Sequence, residues 1–267
     1  MKNNMGRVGI LYICTGEYFK FWNEFYQSSE KYLLNNEDLH YFIFTDNEDL
    51  LNIQDSNIHP IWQDNLSWPY PTLYRFKFFF EQQEILQQMD YLIFCNANLF
   101  FKRSVNLNDL LSDKPMFATA HPGYYNRKKE NLPYEKNKKS LAFIDKDNFE
   151  SQYVCGGFNG GKSEYFLNMA RKLHHNIESD LKNNIVAIWH DESHFNRYFN
   201  DNKNIFSILP PIFCWPENKI SHENVFITVQ DKHKAMSVIH KGLFYTIKSY
   251  VWSLVYKLRI FLSRGAG

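Results

Sequence analysis

The feature that most constrains this chain is an alternation of short apolar runs with longer stretches carrying aromatic residues at helical spacing. Residues 7–14 (RVGILYIC) are apolar and rich in β-formers and stop at Thr15 and Gly16, and residues 18–34 then read as a helix. Residues 39–45 repeat the strand pattern and end at Asp46, and residues 57–61 give a third strand before a loop holding Pro69 and Pro71. Residues 73–88 predict a helix, and residues 91–94 (YLIF) a buried strand that runs directly into Asn96, Ala97 and Asn98. Strands separated by helices pair in parallel, so the expected class is α/β with a mostly parallel sheet. Ligands of such sheets bind beyond the carboxyl ends of the strands, where Asn96 and Asn98 stand, although amides after a strand also simply close turns.

Further along, residues 121–152 are polar, rich in Lys and Asn and without a sustained period, and read as a long, partly mobile surface segment of the kind that forms lids. Gly156, Gly157, Gly160 and Gly161 read as a tight bend that permits close approach of backbone to a ligand. They lack the strand, GxGxxG, helix spacing of a dinucleotide site. A helix over 163–180 follows, and Trp189-His190-Asp191-Glu192 opens another that runs to residue 199. No repeat or linker divides the chain, which predicts one catalytic domain over 1–240 and a separate tail over 241–267.

Charge and cysteine usage exclude several classes. Lys plus Arg (30) nearly balances Asp plus Glu (29), so no global field points to nucleic acid as a partner. Cys14, Cys95, Cys155 and Cys214 form no CxxC pair, which speaks against a zinc site or a disulfide framework and for a reducing cytoplasm. Residues 1–7 are short and polar, so neither a signal peptide nor an N-terminal anchor is expected. Aromatic residues make up 18%; they serve a core, and Tyr and Trp also suit the faces of sugars.

Asp191 and Glu192 carry the strongest chemical signal. A helix-capping role accounts for one acid, while two acids set between Trp189 and His194 suggest more. Glycosyl transfer with retention needs a carboxylate facing the sugar carbon opposite the leaving group, as nucleophile or as stabiliser of an oxocarbenium-like state, and Glu192 is the candidate.

These pieces occur together in a known order. YICTGEY (12–18), YLIF before Asn-Ala-Asn, HPGYY (121–125), Tyr134-Glu135, GGFNGG (156–161) and WHDESHFNRYF (189–199) resemble glycosyltransferase family 6, which includes the blood-group A and B transferases and the α-1,3-galactosyltransferases. The resemblance spans about residues 7–234. It implies a GT-A fold, a Rossmann-like sheet with a second, smaller sheet. It also implies a UDP-sugar donor and a β-galactoside acceptor. It places the uracil near Ile13 and Tyr18, the diphosphate near Arg75, Lys232 and Lys234, and the donor sugar near Gly156, Gly157 and Asp191. It puts His121, Trp189, His190 and Glu192 around the acceptor and the reacting carbon.

Two departures matter. Asn96 and Asn98 stand where animal relatives carry an Asp-X-Asp that holds manganese, and a hard divalent cation prefers anionic oxygen. No metal cofactor is therefore expected, and Arg75, Lys232 and Lys234 are the cations available to the leaving UDP. Val238 stands where animal members have Arg. Gly157, where B-type and α-galactosyl relatives carry Ala, points to UDP-GalNAc first and UDP-Gal second, with Cys155 unlike either animal type. The expected product is an α-1,3 bond on a terminal β-galactoside, and the need for a 2-fucose stays open.

Leu243, Ile247, Val251, Leu254, Leu258 and Phe261 share one face of a helix, Lys and Arg lie off it, and no acid follows Asp231. Such a basic amphipathic tail suits an anionic membrane surface at the inner face of the cell membrane, where lipid-linked acceptors are presented; packing on the domain is the other reading. Two other functions suit parts of the sequence: a catalytically degenerate UDP-sugar or glycan binder, and a glycoside hydrolase, which also uses paired acids.

Overall fold

The computed structural model describes residues 5–145, 152–219 and 223–232. The elements below belong to one compact unit, Met1–Gln230; Asp231 and Lys232 belong to a second, Asp231–Gly267. The expectations for Lys234, Val238 and residues 241–267 lie outside the described residues.

The strands are β1 (Arg7–Ile13), β2 (Asp38–Thr45), β3 (Ile58–Trp62), β4 (Tyr91–Asn96), β5 (Leu99–Phe101), β6 (Met116–Ala120), β7 (Val154–Lys162), β8 (Phe206–Leu209), β9 (Trp215–Pro216) and β10 (Ile227–Val229). The helices are α1 (Trp22–Tyr32), α2 (Glu48–Leu51), α3 (Tyr70–Leu73), α4 (Arg75–Glu81), α5 (Gln83–Leu86), α6 (Leu107–Leu111), α7 (Ser163–Lys182) and α8 (His190–Asp201). Seven strands form one sheet in the order β3-β2-β1-β4-β7-β6-β8, and three form a small one, β5-β10-β9. In the large sheet only β7 runs antiparallel to its neighbours β4 and β6. This is the mostly parallel sheet with a smaller companion expected of a GT-A fold.

Apolar runs form the central strands because both faces of the sheet are covered. Val8, Ile10 and Tyr12 of β1 face a cluster with Trp22 and Phe25 of α1. Leu11 of β1 joins the opposite cluster with Phe76 and Phe79 of α4 and Phe166 and Leu173 of α7. Each such side chain, fully buried, contributes about 1.5–3 kcal/mol. Chain order steps from β1 out to β3 and then returns to β4 on the other side, and this reversal opens a crevice at the carboxyl ends of β1 and β4. Ile13 and Asn96 are register partners at that edge.

Several expectations are corrected. The helix over 73–88 is three short helices, α3, α4 and α5, with breaks at Tyr74 and Gln82. Leu73 before the first break and Phe76 and Phe79 after it are buried in the same core cluster. The first helix is preceded by a tighter turn, Gly16–Phe21, before α1 begins. The glycines of 156–161 are not a bend but part of β7. A Cβ on Gly160 would stand 2.5 Å from Leu92 O and one on Gly161 2.3 Å from Pro115 O, so glycine here lets strands lie close.

The segment after His121 is also not a loose surface strap over its described part. Leu132, Tyr134 and Ile144 are buried with Tyr153 in a small core of their own. Asp180 of α7 accepts from Ser140 Oγ at 2.5 Å and from Leu141 N at 2.9 Å, Arg197 of α8 donates to Phe143 O at 2.6 Å, and Glu135 accepts from Ile188 N at 2.6 Å. Its few apolar residues are unevenly spaced, which hides them from any periodicity. Among the described residues no helix is long and apolar enough to cross a membrane. All four cysteines are free and buried.

Candidate active site

The site is built on an irregularity in β7. Ala118 of β6 pairs with Asn159, but the next residue, Thr119, pairs with Cys155, so Gly156, Gly157 and Phe158 leave that ladder. On the other edge Phe158 still pairs with Cys95 of β4. Thr119 Oγ1 donates to Phe158 O at 2.8 Å and Asn159 Nδ2 to Gly156 O at 3.1 Å, and these bonds replace the lost ladder partners. The bulge needs small residues because it is crowded. A Cβ on Gly156 would lie 3.2 Å from Arg75 Nη2 and 3.4 Å from Glu192 Oε2; one on Gly157 would lie 3.2 Å from Asn96 Nδ2 and 3.3 Å from Cys214 Sγ.

Helix α8 delivers the acids. Its first residue, His190, has φ +52, a left-handed conformation costing a side chain of this kind roughly 1–2 kcal/mol, and Trp189 at the N-cap makes no side-chain cap bond. Glu192 is turned toward β7, while Asp191 meets Arg75 of α4 and the backbone of its own first turn. Glu192 Oε2 accepts from Gly156 N at 2.8 Å and Oε1 from the Tyr153 hydroxyl at 2.9 Å. One turn later Asn196 locks helix to strand, accepting from Val154 N at 2.9 Å and donating to Val154 O and to Glu192 O at the same distance. Burial pushes the Glu192 carboxyl up to about 7, with the charge of Asp191 adding to the rise, while the Gly156 amide, the Tyr153 hydroxyl and Arg75 pull it down.

Arg75, the first residue of α4, is buried against the rings of Phe94 at 4.3 Å and Phe76 at 4.8 Å. Its Nη1 donates to Gly156 O at 2.7 Å and its Nη2 lies 2.6 Å from Asp191 Oδ2. Burial raises the Asp191 carboxyl above its usual range and Arg75 opposes that rise. The pair is buried and mutually neutralising, and Arg75 Nε makes no hydrogen bond among the described residues.

His121 joins the cluster through Tyr153, whose carbonyl accepts from His121 N at 2.9 Å; the two rings lie 5.7 Å apart. Burial and the charge of Lys219 push the imidazole down to about 4. Gly123 N–H donates to His121 Nδ1 at 2.9 Å, so the neutral ring carries its proton on Nε2, a donor facing away from that turn. His190 and Trp189 are half-buried, and the His190 ring meets Trp68 edge-on at 5.0 Å.

At the crevice, Tyr12 OH donates to Ala97 O at 2.8 Å, and Asn98 exchanges bonds with Gln230, from Asn98 Nδ2 to Gln230 O at 2.7 Å and from Gln230 N to Asn98 O at 2.8 Å. The Asn-Ala-Asn turn is thereby fixed, with Asn96 exposed beside Gly157. Ile13 ends β1 half-buried, and Tyr18 is half-buried in the turn that follows, 6.1 Å from Phe21. Lys232 is exposed. Arg75, Asn96, Gly156, Gly157, Asp191 and Glu192 thus form one cluster, with His121 one residue away. Sequence reasoning missed Tyr153 and Asn196. Asn196 sits four residues after Glu192 on one helix face, a spacing that could have shown it. Tyr153 carries no such signal.

A profile described as glycosyltransferase family 6 matches residues 2–240. The chain belongs to glycosyltransferase family 6. Among its relatives, the O-antigen biosynthesis glycosyltransferase WbnI of Escherichia coli is 31% identical over 85% of this chain and 95% of its own length. The histo-blood group ABO system transferase 1 of Rattus norvegicus is 25% identical over 86% of this chain and 68% of its own. The globoside alpha-1,3-N-acetylgalactosaminyltransferase 1 of Homo sapiens is 28% identical over 79% and 62%. As a family 6 member the chain is a glycosyltransferase, with a nucleotide-sugar donor and a glycan acceptor.

Proposed function

We propose that this family 6 enzyme moves GalNAc from UDP-GalNAc to the 3-OH of a terminal β-galactoside, with or without a 2-fucose, forming an α-1,3 bond with retention and without a metal ion. The observation that carries the reading is the seating of Glu192. Its two oxygens are held by Gly156 N–H and Tyr153 OH on the glycine bulge, so the carboxylate is fixed in rotation where a sugar ring can lie against bare backbone. In this reading Glu192 faces the anomeric carbon on the side opposite UDP, either adding to it or stabilising its positive charge as the bond to the phosphate breaks. Asp191, held by Arg75, receives sugar hydroxyls, and the His121 Nε2–H, with Trp189 and His190, receives the acceptor. By the family resemblance the diphosphate falls to Arg75, Lys232 and Lys234, and the uracil to Ile13 and Tyr18.

The manganese of Asp-X-Asp relatives does not suit this donor set. Asn96 and Asn98 bring neutral amides, and the Asn98 side chain is already bound to Gln230 O. Among the described residues no three His, Cys, Asp or Glu side chains gather in a way that would hold an ion. UDP-Gal is the second reading. The space that a methyl would fill at Gly157 is bordered by Asn96 and Cys214, so the room for an N-acetyl arm is narrow. The name of the human relative, an α-1,3-N-acetylgalactosaminyltransferase, supports GalNAc and the linkage. The test is incubation with EDTA, either donor, and lactose or its 2-fucosylated form, followed by linkage analysis. An α-1,3 product is expected; loss of turnover with EDTA refutes metal independence, and UDP-sugar binding without any product favours the degenerate binder. The reading of residues 241–267 as a membrane-surface helix is checked by sedimentation of the full chain with anionic vesicles, and recovery in the supernatant refutes it.

A further inference from the structure

The wall that carries Glu192, Tyr153 and His121 continues to a residue with no part in the reading above. We infer that Lys219 sets acceptor specificity, selecting β-galactosides that bear an anionic oxygen group, a carboxylate or a phosphate, on the sugar next to the galactose. The inference rests on the proposed acceptor role of His121.

Lys219 follows β9, and its own amide N–H donates to Pro216 O at 3.1 Å. Lys219 is exposed but its side chain is anchored: Nζ donates to Pro122 O at 2.9 Å, next to His121, and lies 5.6 Å from the centre of the Trp215 ring. An ammonium has three donors, and this contact occupies one. Among the described residues no ion pair involves Lys219. The ammonium is close enough to His121 to help keep the imidazole neutral. An anchored ammonium with two donors left, beside the residue proposed to receive the acceptor, is a place for an anionic group on the neighbouring sugar. Reading outward from Glu192, the steps are Tyr153, His121, Pro122 and Lys219. The reacting galactose belongs at the first two and its neighbour sugar at the last.

The test uses the full chain, whichever donor it turns over, and three acceptors that differ at one carbon: lactose, lactose with the glucose C6 oxidised to a uronate, and lactose with phosphate at that C6. The expected result is that kcat/KM for one or both anionic acceptors exceeds that for lactose about 3- to 10-fold, through KM, and that this advantage shrinks as NaCl is raised. The uronate and phosphate arms tell the two anions apart. K219M should bring the anionic-to-neutral ratio to near one, and K219R should keep most of it. Equal kcat/KM for all three acceptors with the wild-type chain overturns the inference. So does a K219M variant slowed on all three with its ratio retained, which would mean that Lys219 only braces the Pro122 turn. If K219M does not fold, the salt dependence of the wild-type ratio decides alone. No transfer to any of the three from either donor would instead sink the proposed function itself.

Discussion

Glu192→Gln should stabilise the protein at pH 8, change it little below pH 4.5, and abolish transfer. The carboxyl titrates near 4.5 in an unfolded chain and at about 7 in the folded one. Below the lower value both states hold the proton and the group contributes nothing. Between the two values the folded state keeps a proton that the unfolded state has released, so stability falls as pH rises, and above the upper value the full cost of a buried carboxylate is present. The interval of about two and a half units corresponds to roughly 3 kcal/mol. Glutamine removes the titration and keeps the shape: its Oε1 accepts from Gly156 N–H, and its Nε2 donates to the Tyr153 oxygen, whose proton turns away. Urea unfolding of both proteins between pH 5 and pH 8 should show the stability difference widening with pH, and thermal midpoints should separate by roughly 6–12 °C at the alkaline end. A difference that stays constant with pH would mean that the site is wetter than its hydrogen bonds indicate and that the elevated proton affinity is wrong.

Other substitutions probe the same seat. Asn196→Ala removes two hydrogen bonds between α8 and β7 and a third within α8, and should cost about 2–4 kcal/mol in urea unfolding, with transfer falling as well because the carbonyl of Glu192 loses its partner. Gly157→Ala puts a methyl 3.2 Å from Asn96 Nδ2 and 3.3 Å from Cys214 Sγ, and should shift the ratio of UDP-Gal to UDP-GalNAc use about tenfold toward UDP-Gal in a competition assay; an unchanged ratio would remove residue 157 from sugar choice.

Much of the architecture is written where side chains are numerous enough to show a pattern. Strands β1, β2 and β4 are continuous apolar runs because both faces of the sheet are covered, and α7 and α8 carry clear helical periods. Strands β5, β8, β9 and β10 are two to four residues long, too short to display alternation. Strand β6 is five residues, of which two are alanine, and shows no pattern for the same reason. Strand β7 reads as a bend in the sequence because four of its nine residues are glycine, which contributes nothing to periodicity. Within the site, Asp191, Glu192, Gly156 and Gly157 were visible as residue types suited to the chemistry. That Arg75 lies between Phe76 and Phe94, bound to Gly156 O and Asp191, is a tertiary fact assembled from α4, β4, β7 and α8, and no local spacing announces it.

The two glycines of the bulge are not equally free to mutate. At 156 both halves of the backbone are already engaged, the amide by an acid and the carbonyl by Arg75 and Asn159, and the space above it is bounded by the Arg75 guanidinium and the Glu192 carboxyl, each held by those same bonds. At 157 the neighbours are the ends of an amide and a thiol, groups that can rotate aside. A lineage built on this frame can therefore change which sugar it handles by drifting at the second position while the first stays fixed, and new donor preferences should arise without rebuilding the machinery that breaks the bond.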